Sequence, residues 1–349
     1  MKCWLTVQKN KSLLEDGVLE GAPSFWKMLK RDSPPSTENV QKGQSPLDGR
    51  RKPMKRDNMY GLALLSLFIA ALTWGSAYVF MKENLAVFSP LWLLGLRFGI
   101  AGLLLNLVCI RRWKDMTRTL LRHGVWMGVL LYWEFYFFTV GIQYTTASRS
   151  AFVVAAYIIF VPAAYWLVRK KRPGRLDLAA AATCLAGTAL ILFDGSGGGI
   201  NKGDILTAGC SAVYAVHVVY GSLYAKEEDP LLLNMVQIGT SGIIGLGAAL
   251  LLNPFPQGIA PGDFKGVLYL AVIATICPYA CSLFGQKYVR TTTSAIILSF
   301  ESVFGCLASV VVLGERLSLR FIAGAAVVLL SFFVSEGLFF KGLKKPETK

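Results

Sequence analysis

From Met59 almost to its end, the chain is a series of apolar stretches about twenty residues long, joined by short polar connections. Twenty mostly apolar residues in a helix match the bilayer's hydrocarbon thickness of about 30 Å. Lipid offers no partner for a backbone N–H or C=O, so stretches this uniformly apolar must close their hydrogen bonds within themselves, as helices. Hydropathy resolves about ten such spans, near 59–81, 90–110, 124–144, 147–168, 176–193, 203–225, 230–253, 264–285, 294–313 and 319–340. The expected fold class is therefore an all-α membrane protein. No room remains for a soluble catalytic domain, so any chemistry belongs inside the bundle or at its mouths.

Only 16% of the residues are charged and 54% are hydrophobic, whereas a soluble domain carries roughly 25% charged residues. A net charge of +15 raises nucleic acid as a partner. The basic residues nevertheless cluster between apolar spans and not on one face, which identifies a lipid bilayer instead. With the N-terminus cytoplasmic, Arg111, Arg112, Lys114, the Arg169–Arg172 run and Lys341, Lys344 and Lys345 all fall on one side. That bias predicts a multi-pass protein of the inner (plasma) membrane with both termini cytoplasmic. Residues 1–58 are polar and charged and read as a disordered cytosolic extension. Met54-Lys-Arg-Asp-Asn-Met59 has the look of a bacterial N-terminus, so residues 1–53 read as an upstream extension or a start-site error. Cysteines lie mostly within spans, where they act as small apolar residues. Cys277 and Cys281 are one helical turn apart but lack a neighbouring His or carboxylate cluster, so no metal or cofactor is expected.

The chain is also written twice. Tyr144–Val154 (YTTASRSAFVV) aligns with Tyr288–Leu298 (YVRTTTSAIIL) at a shift of 144, which also brings Glu134 onto Pro278 and Gly141 onto Gly285. Earlier in each half the shift is 140: Trp74 falls on Tyr214, Pro90 on Pro230, Gly99 on Gly239 and Gly102 on Gly242. Residues 59–193 and 203–341 thus form two repeats of five spans, followed by a cytosolic tail at 342–349. Because five is odd, the second repeat enters the membrane in the opposite sense. Two inverted five-helix repeats are a transporter architecture, in which one central site is opened alternately to each side. The Gly195–Gly199 loop lacks the Lys-Ser/Thr ending of a phosphate cradle and reads as the flexible joint between repeats.

Ionisable residues inside spans are costly and mark candidate sites. Glu134 lies at the centre of the third span; burial favours a neutral carboxyl, so it could take up and release a proton or bind a cationic substrate, or it could be a hydrogen-bonded structural residue. Arg97, in the second span, keeps its charge. It is expected to pair with Glu134 or Glu301, with capture of a substrate carboxylate or phosphate as the other role. Glu301, in the ninth span, reads as an ion partner or as a structural residue between halves. His217, in the sixth span, titrates near neutrality and suits a proton relay, although a lone helical His is more often a packing residue. Trp74, Tyr78, Tyr132, Trp133, Tyr136, Tyr157, Tyr214 and Tyr279 could line a cavity with aromatic faces and hydroxyls, or else form an interfacial belt. Pro162 and Pro278 each free a mid-span carbonyl.

Several of these residues form an ordered set: Trp74-Gly75-Ser76 with Lys82, Arg97, Tyr144–Phe152 with Pro162, and Ser299-Phe-Glu301-Ser-Val-Phe304 followed by Gly314-Glu315-Arg316-Leu317. In that set the chain resembles an EamA-type member of the drug/metabolite transporter superfamily, across both repeats. Two departures stand out: Ser302 where the family more often has Pro, and a purely basic Arg169–Arg172 exit where it has Gly-Glu-Arg. The resemblance implies a secondary active transporter that moves a small metabolite, an amino acid or a related compound, by efflux, with protons as candidate coupling ions. A membrane-embedded enzyme acting on lipid and a non-transporting sensor or scaffold are the readings from other classes. Monomer and homodimer remain equally open.

Overall fold

The computed structural model describes residues 56–170, 172–193, 199–289 and 291–335. The expected N-terminal extension, most of the glycine joint and the C-terminal tail lie outside them. Ten helical stretches follow in order: α1 (Arg56–Asn84), α2 (Pro90–Val108), α3 (Arg118–Gly141), α4 (Ala147–Arg169), α5 (Arg175–Leu192), α6 (Lys202–Glu227), α7 (Pro230–Leu252), α8 (Pro261–Tyr288), α9 (Thr291–Leu313) and α10 (Leu319–Ser335). Local chemistry explains their starts. Thr117 and Thr146 accept from the backbone N–H groups of Leu120 and Arg149 to cap α3 and α4. Asp229 accepts from Leu231 and Leu232 to cap α7, and Pro opens both α2 and α7, where its missing N–H costs nothing.

Seven of these stretches are long and apolar enough to cross a membrane, and Ile297–Leu313 and Leu319–Ser331 are shorter apolar helices. Large apolar side chains face outward all around the bundle, including Leu65 and Leu72 on α1, Leu103 and Leu107 on α2, Ile243 and Leu251 on α7 and Val311 on α9. So much exposed apolar surface is unfavourable in water and is the normal surface of a helix bundle in lipid. The protein is a multi-pass membrane protein.

The packing repeats when the halves are exchanged. α1 packs on α9 and α8, and its counterpart α6 packs on α4 and α3. α2 lies against its own counterpart α7, as α5 does against α10 and α4 against α9. The register holds to the residue. A Cβ on Gly242 would stand 3.0 Å from Gly99 Cα, and one on Gly102 would stand 3.0 Å from Gly239 Cα. These two contacts interchange under the shift of 140. Likewise a Cβ on Gly141 would stand 3.0 Å from the Gly203 carbonyl, and one on Gly285 would stand 3.0 Å from that of Ala63, the residue equivalent to Gly203. Small residues at these four contacts let backbones touch, a source of helix association in lipid. The fold is two inverted five-helix repeats about a pseudo-two-fold axis.

Two helices are irregular at mid-span. α4 breaks at Ala156, between Ala147–Ala155 and Tyr157–Arg169, and there Ser211 Oγ of α6 donates to the Val153 carbonyl at 2.6 Å. α8 contains a π turn at Val272–Ile276, with Pro278 two residues after its end. Irregular backbone at membrane depth is tolerated where it is buried in protein, as Ala156 and the Ala274–Thr275 part of the π turn are.

Candidate functional site

Between the halves lies a cavity of about 40 Å³, lined by Trp74, Tyr78, Arg97, Glu134, Tyr214, Tyr279 and Glu301 among others. Each of these side chains is buried. The volume holds on the order of three waters, far less than the ~300–1,000 Å³ of a pocket that engulfs a ligand. The conformation is contracted around the site. Contributions come from α1, α2, α3 and α4 of the first half and from α6, α8 and α9 of the second, so relative movement of the halves would reshape it.

Glu134 has the densest set of partners. His217 Nδ1 lies 2.8 Å from its Oε2, although no donor points straight at that oxygen, and the Tyr279 hydroxyl donates to its Oε1 at 3.3 Å. On the far side of the imidazole, Nε2 lies 3.0 Å from Gln237 Oε1. Gln237 donates its own amide N–H to Asn234 Oδ1 at 2.9 Å, which makes its oxygen the acceptor and places a proton on His217 Nε2. A second proton at this pair would sit on Nδ1 or on the carboxyl. Either placement leaves the pair neutral, which is how two ionisable groups survive burial away from water.

Arg97 is fully buried, and the expected pairing with Glu134 or Glu301 is absent: no ion pair among the described residues includes it. Its Nε donates to Thr275 Oγ1 at 2.7 Å and its NH2 group to the Ala274 carbonyl at 2.8 Å. The reason lies four residues on: Pro278 has no N–H to offer Ala274, so that carbonyl is free, and the π turn aims it with Thr275 at the guanidinium. The Phe135 ring, 4.5 Å away, adds a cation–π contact. Arg97 is thus fixed by backbone and ring, with its charge still facing the cavity.

Of the other candidates, Trp74 and Tyr214 line the cavity, the Trp74 ring centroid being 4.9 Å from that of Tyr279 and 6.5 Å from that of Tyr214. Tyr157, which aligns with Glu301 in the repeat, is fully buried one layer behind, 4.7 Å from Tyr214. His217 lines an adjoining space. Tyr132 and Tyr136 do not line the cavity but group with the exposed Trp133. At about 100° per residue, positions two before and two after Glu134 point to the other side of α3. Tyr78 and Tyr279 line the cavity as well, and the structure adds Phe138 and Cys210. Each of these two is one turn from a residue already singled out (Glu134 and Tyr214), so the i,i+4 spacing is the signal that marks them.

The EamA-like transporter family matches this chain twice, over residues 61–193 and 201–336. The chain belongs to the EamA-like transporter family. An uncharacterized transporter of Archaeoglobus fulgidus is 28% identical over 270 residues, covering 77% of this chain and 84% of the relative. A protein of Salmonella typhimurium named as a probable amino-acid metabolite efflux pump is 25% identical over 286 residues, covering 76% and 92%. A solved crystal structure at 17% identity superposes with a TM-score of 0.61 over 81% of this chain and 99% of that one, which shows a shared fold. As an EamA-family member the chain is a transporter, and the buried carboxylate, imidazole and guanidinium belong to a bundle whose two halves meet at one cavity.

Proposed function

We propose that this EamA-family transporter exports small metabolites of the amino-acid class across the inner membrane by alternating access, driven by protons that bind the Glu134–His217 pair. The observation that carries this reading is the 2.8 Å approach of His217 Nδ1 to Glu134 Oε2 inside a buried cavity between the halves. A pair that holds one shared proton when closed can lose it when the cavity opens to water, and its negative charge can then receive a cationic group. Arg97 supplies the complementary charge for a carboxylate, Glu301 a second carboxylate, and Trp74 and Tyr214 apolar faces. The two five-helix repeats, 59–193 and 203–341, act as the moving halves. A relative named as an amino-acid metabolite efflux pump supports the substrate class and direction. One named as an inner membrane transporter supports the location. The positive-inside bias supports cytoplasmic termini.

Counterflow in proteoliposomes across a panel of labelled amino acids and related metabolites tests the reading. Exchange of at least one compound is expected, and none across the panel would overturn it in favour of a lipid enzyme or a sensor. With that compound, Glu134→Gln should lose accumulation driven by a pH gradient. Full gradient-driven accumulation in this variant would remove Glu134 as the proton carrier.

A further inference from the structure

His217 stands between two cavities. Beyond it, toward the Glu227 end of α6, is a second space of about 10 Å³ lined by His217, Gln237, Ser282, Gln286 and Gly221 together with Trp74, Tyr214 and Tyr279. That is about the volume one water requires. Its lining asks for one. Gln286 is 4% exposed and donates its Nε2 to Ser282 Oγ at 2.7 Å, while its Oε1 is buried with no hydrogen-bond partner. A buried acceptor left without a donor costs about 1–3 kcal/mol, a cost a water on Oε1 would remove.

We infer that the Gln286–Gln237 space holds a water that forms the proton exit of the transporter, carrying protons from Glu134 through His217 to the Glu227 end, apart from the path taken by substrate. This inference rests on the proton-coupled reading above. The relay balances atom by atom. For release, the proton of the Glu134 carboxyl passes to His217 Nδ1 as the Nε2 proton leaves to the water, giving a carboxylate and the Nδ1–H imidazole. Uptake reverses both transfers. Gln237 holds the ring by accepting from Nε2 and must yield that contact to the water at each transfer, so it is a positioning residue. The titratable and charged groups around the relay are Cys210 and Tyr214 on α6, Glu134 on α3, Tyr279 on α8, Glu301 on α9, Tyr78 on α1 and Arg97 on α2, while α7 presents only the amides of Asn234 and Gln237.

The chain has two histidines, so nitrogen-15 NMR of the full-length, histidine-labelled protein can follow His217 directly, with His123→Asn to assign the second signal. Exchange of the His217 Nε2 proton with water should be fast in the native protein. Gly221→Ala is the discriminating variant: its methyl would sit at ordinary contact, 3.4 Å from Gln286 Oε1 and from Met127 Cε, filling the space without strain on a helix that gains by alanine. It should slow that exchange tenfold or more, as should Gln286→Leu. An unchanged rate in Gly221→Ala, or slow exchange in the native protein, would overturn the exit route. Neither result bears on whether the protein transports, which counterflow decides separately.

Discussion

At the Lys202 end of the bundle, Asp204 accepts from Thr145 Oγ1 at 2.9 Å and pairs with Arg149 at 3.0 Å, and both carboxylate oxygens of Glu315 accept from the first turn of α4, from the N–H groups of Ala147 and Ser148 at 2.8 and 3.0 Å. Lys82 closes the same region by donating to the carbonyls of Ile142 and Thr145. At the Glu227 end the equivalent positions of the repeat are Leu64 for Asp204, Val289 for Thr145, Thr293 for Arg149, Ser222 for Lys82 and, in sequence, Lys171 for Glu315. Not one of them can rebuild that network. The ion pairs of the Glu227 end, His123–Glu228 and Arg112–Asp229, join other elements at the rim, and the second is more than a third exposed, where such pairs are worth little. One backbone design therefore carries two closures: at the Lys202 end buried charge, at the Glu227 end mostly apolar contact. Opening the first means separating charges that have no water to replace them, so the closed Lys202 end is the tighter of the two.

The largest break in that comparison should come from Asp204→Asn. Asp204 is 1% exposed and also completes the capping box of α6 through Asn201. Its neutralisation leaves the nearly buried Arg149 charge without its counter-charge, a loss on the order of 3 kcal/mol for a pair of this kind. Thermal unfolding of the purified protein followed by tryptophan fluorescence should shift markedly downward. A midpoint within error of the native one would show that the pair does not hold this end.

Glu315→Gln is milder, since an amide oxygen still accepts from the α4 N-terminus but without charge assistance or the favourable interaction of a carboxylate with the helix dipole. The expected loss is about 1–2 kcal/mol, or roughly five- to thirtyfold in the open population. Cys210, buried on the cavity wall, is a ready reporter once the other cysteines are replaced. A membrane-impermeant maleimide added on the Lys202 side should label it faster by that factor in the variant, while labelling from the Glu227 side should not rise. Equal acceleration from both sides would mean that Glu315 supports the whole bundle and not one closure.

How much of this was legible in the sequence follows from the range of each interaction. The repeat register was legible because packing glycines recur at fixed shifts, and Gly99, Gly102, Gly239 and Gly242 meet as that register requires. Glu134, Arg97 and Glu301 were legible as intramembrane charges and all line the cavity. Their partners were not. Arg97 was matched with carboxylates on the rule that charges pair, whereas a proline and a π turn on α8 offered it backbone oxygen; Pro278 was visible as a source of free carbonyl, but which side chain would claim it depends on how α2 and α8 cross. His217 and Glu134 lie on helices from different halves, and neither carries a local mark of the other. The asymmetry of the two ends was half visible, in the basic exit of the fourth span against Glu315, but the acidic side chain's target, the N-terminus of α4, is a tertiary fact.

The smallest effect is expected at the Glu227 end, and it sharpens the comparison by what it lacks. Thr293 occupies the position of Arg149 in the repeat and is 4% exposed, yet its Oγ1 has no hydrogen-bond partner. A hydroxyl buried in this way has lost its hydration without compensation, so replacing it with an isosteric methyl should cost nothing and can gain a few tenths of a kcal/mol or more. Thr293→Val should therefore leave the unfolding midpoint unchanged or raise it slightly, and should leave maleimide labelling of Cys210 from the Glu227 side unchanged or slower. If Thr293→Val instead destabilised the protein as strongly as Asp204→Asn, the hydroxyl would have to serve a polar closure at this end too, and the contrast between a charged latch and an apolar seam would fail.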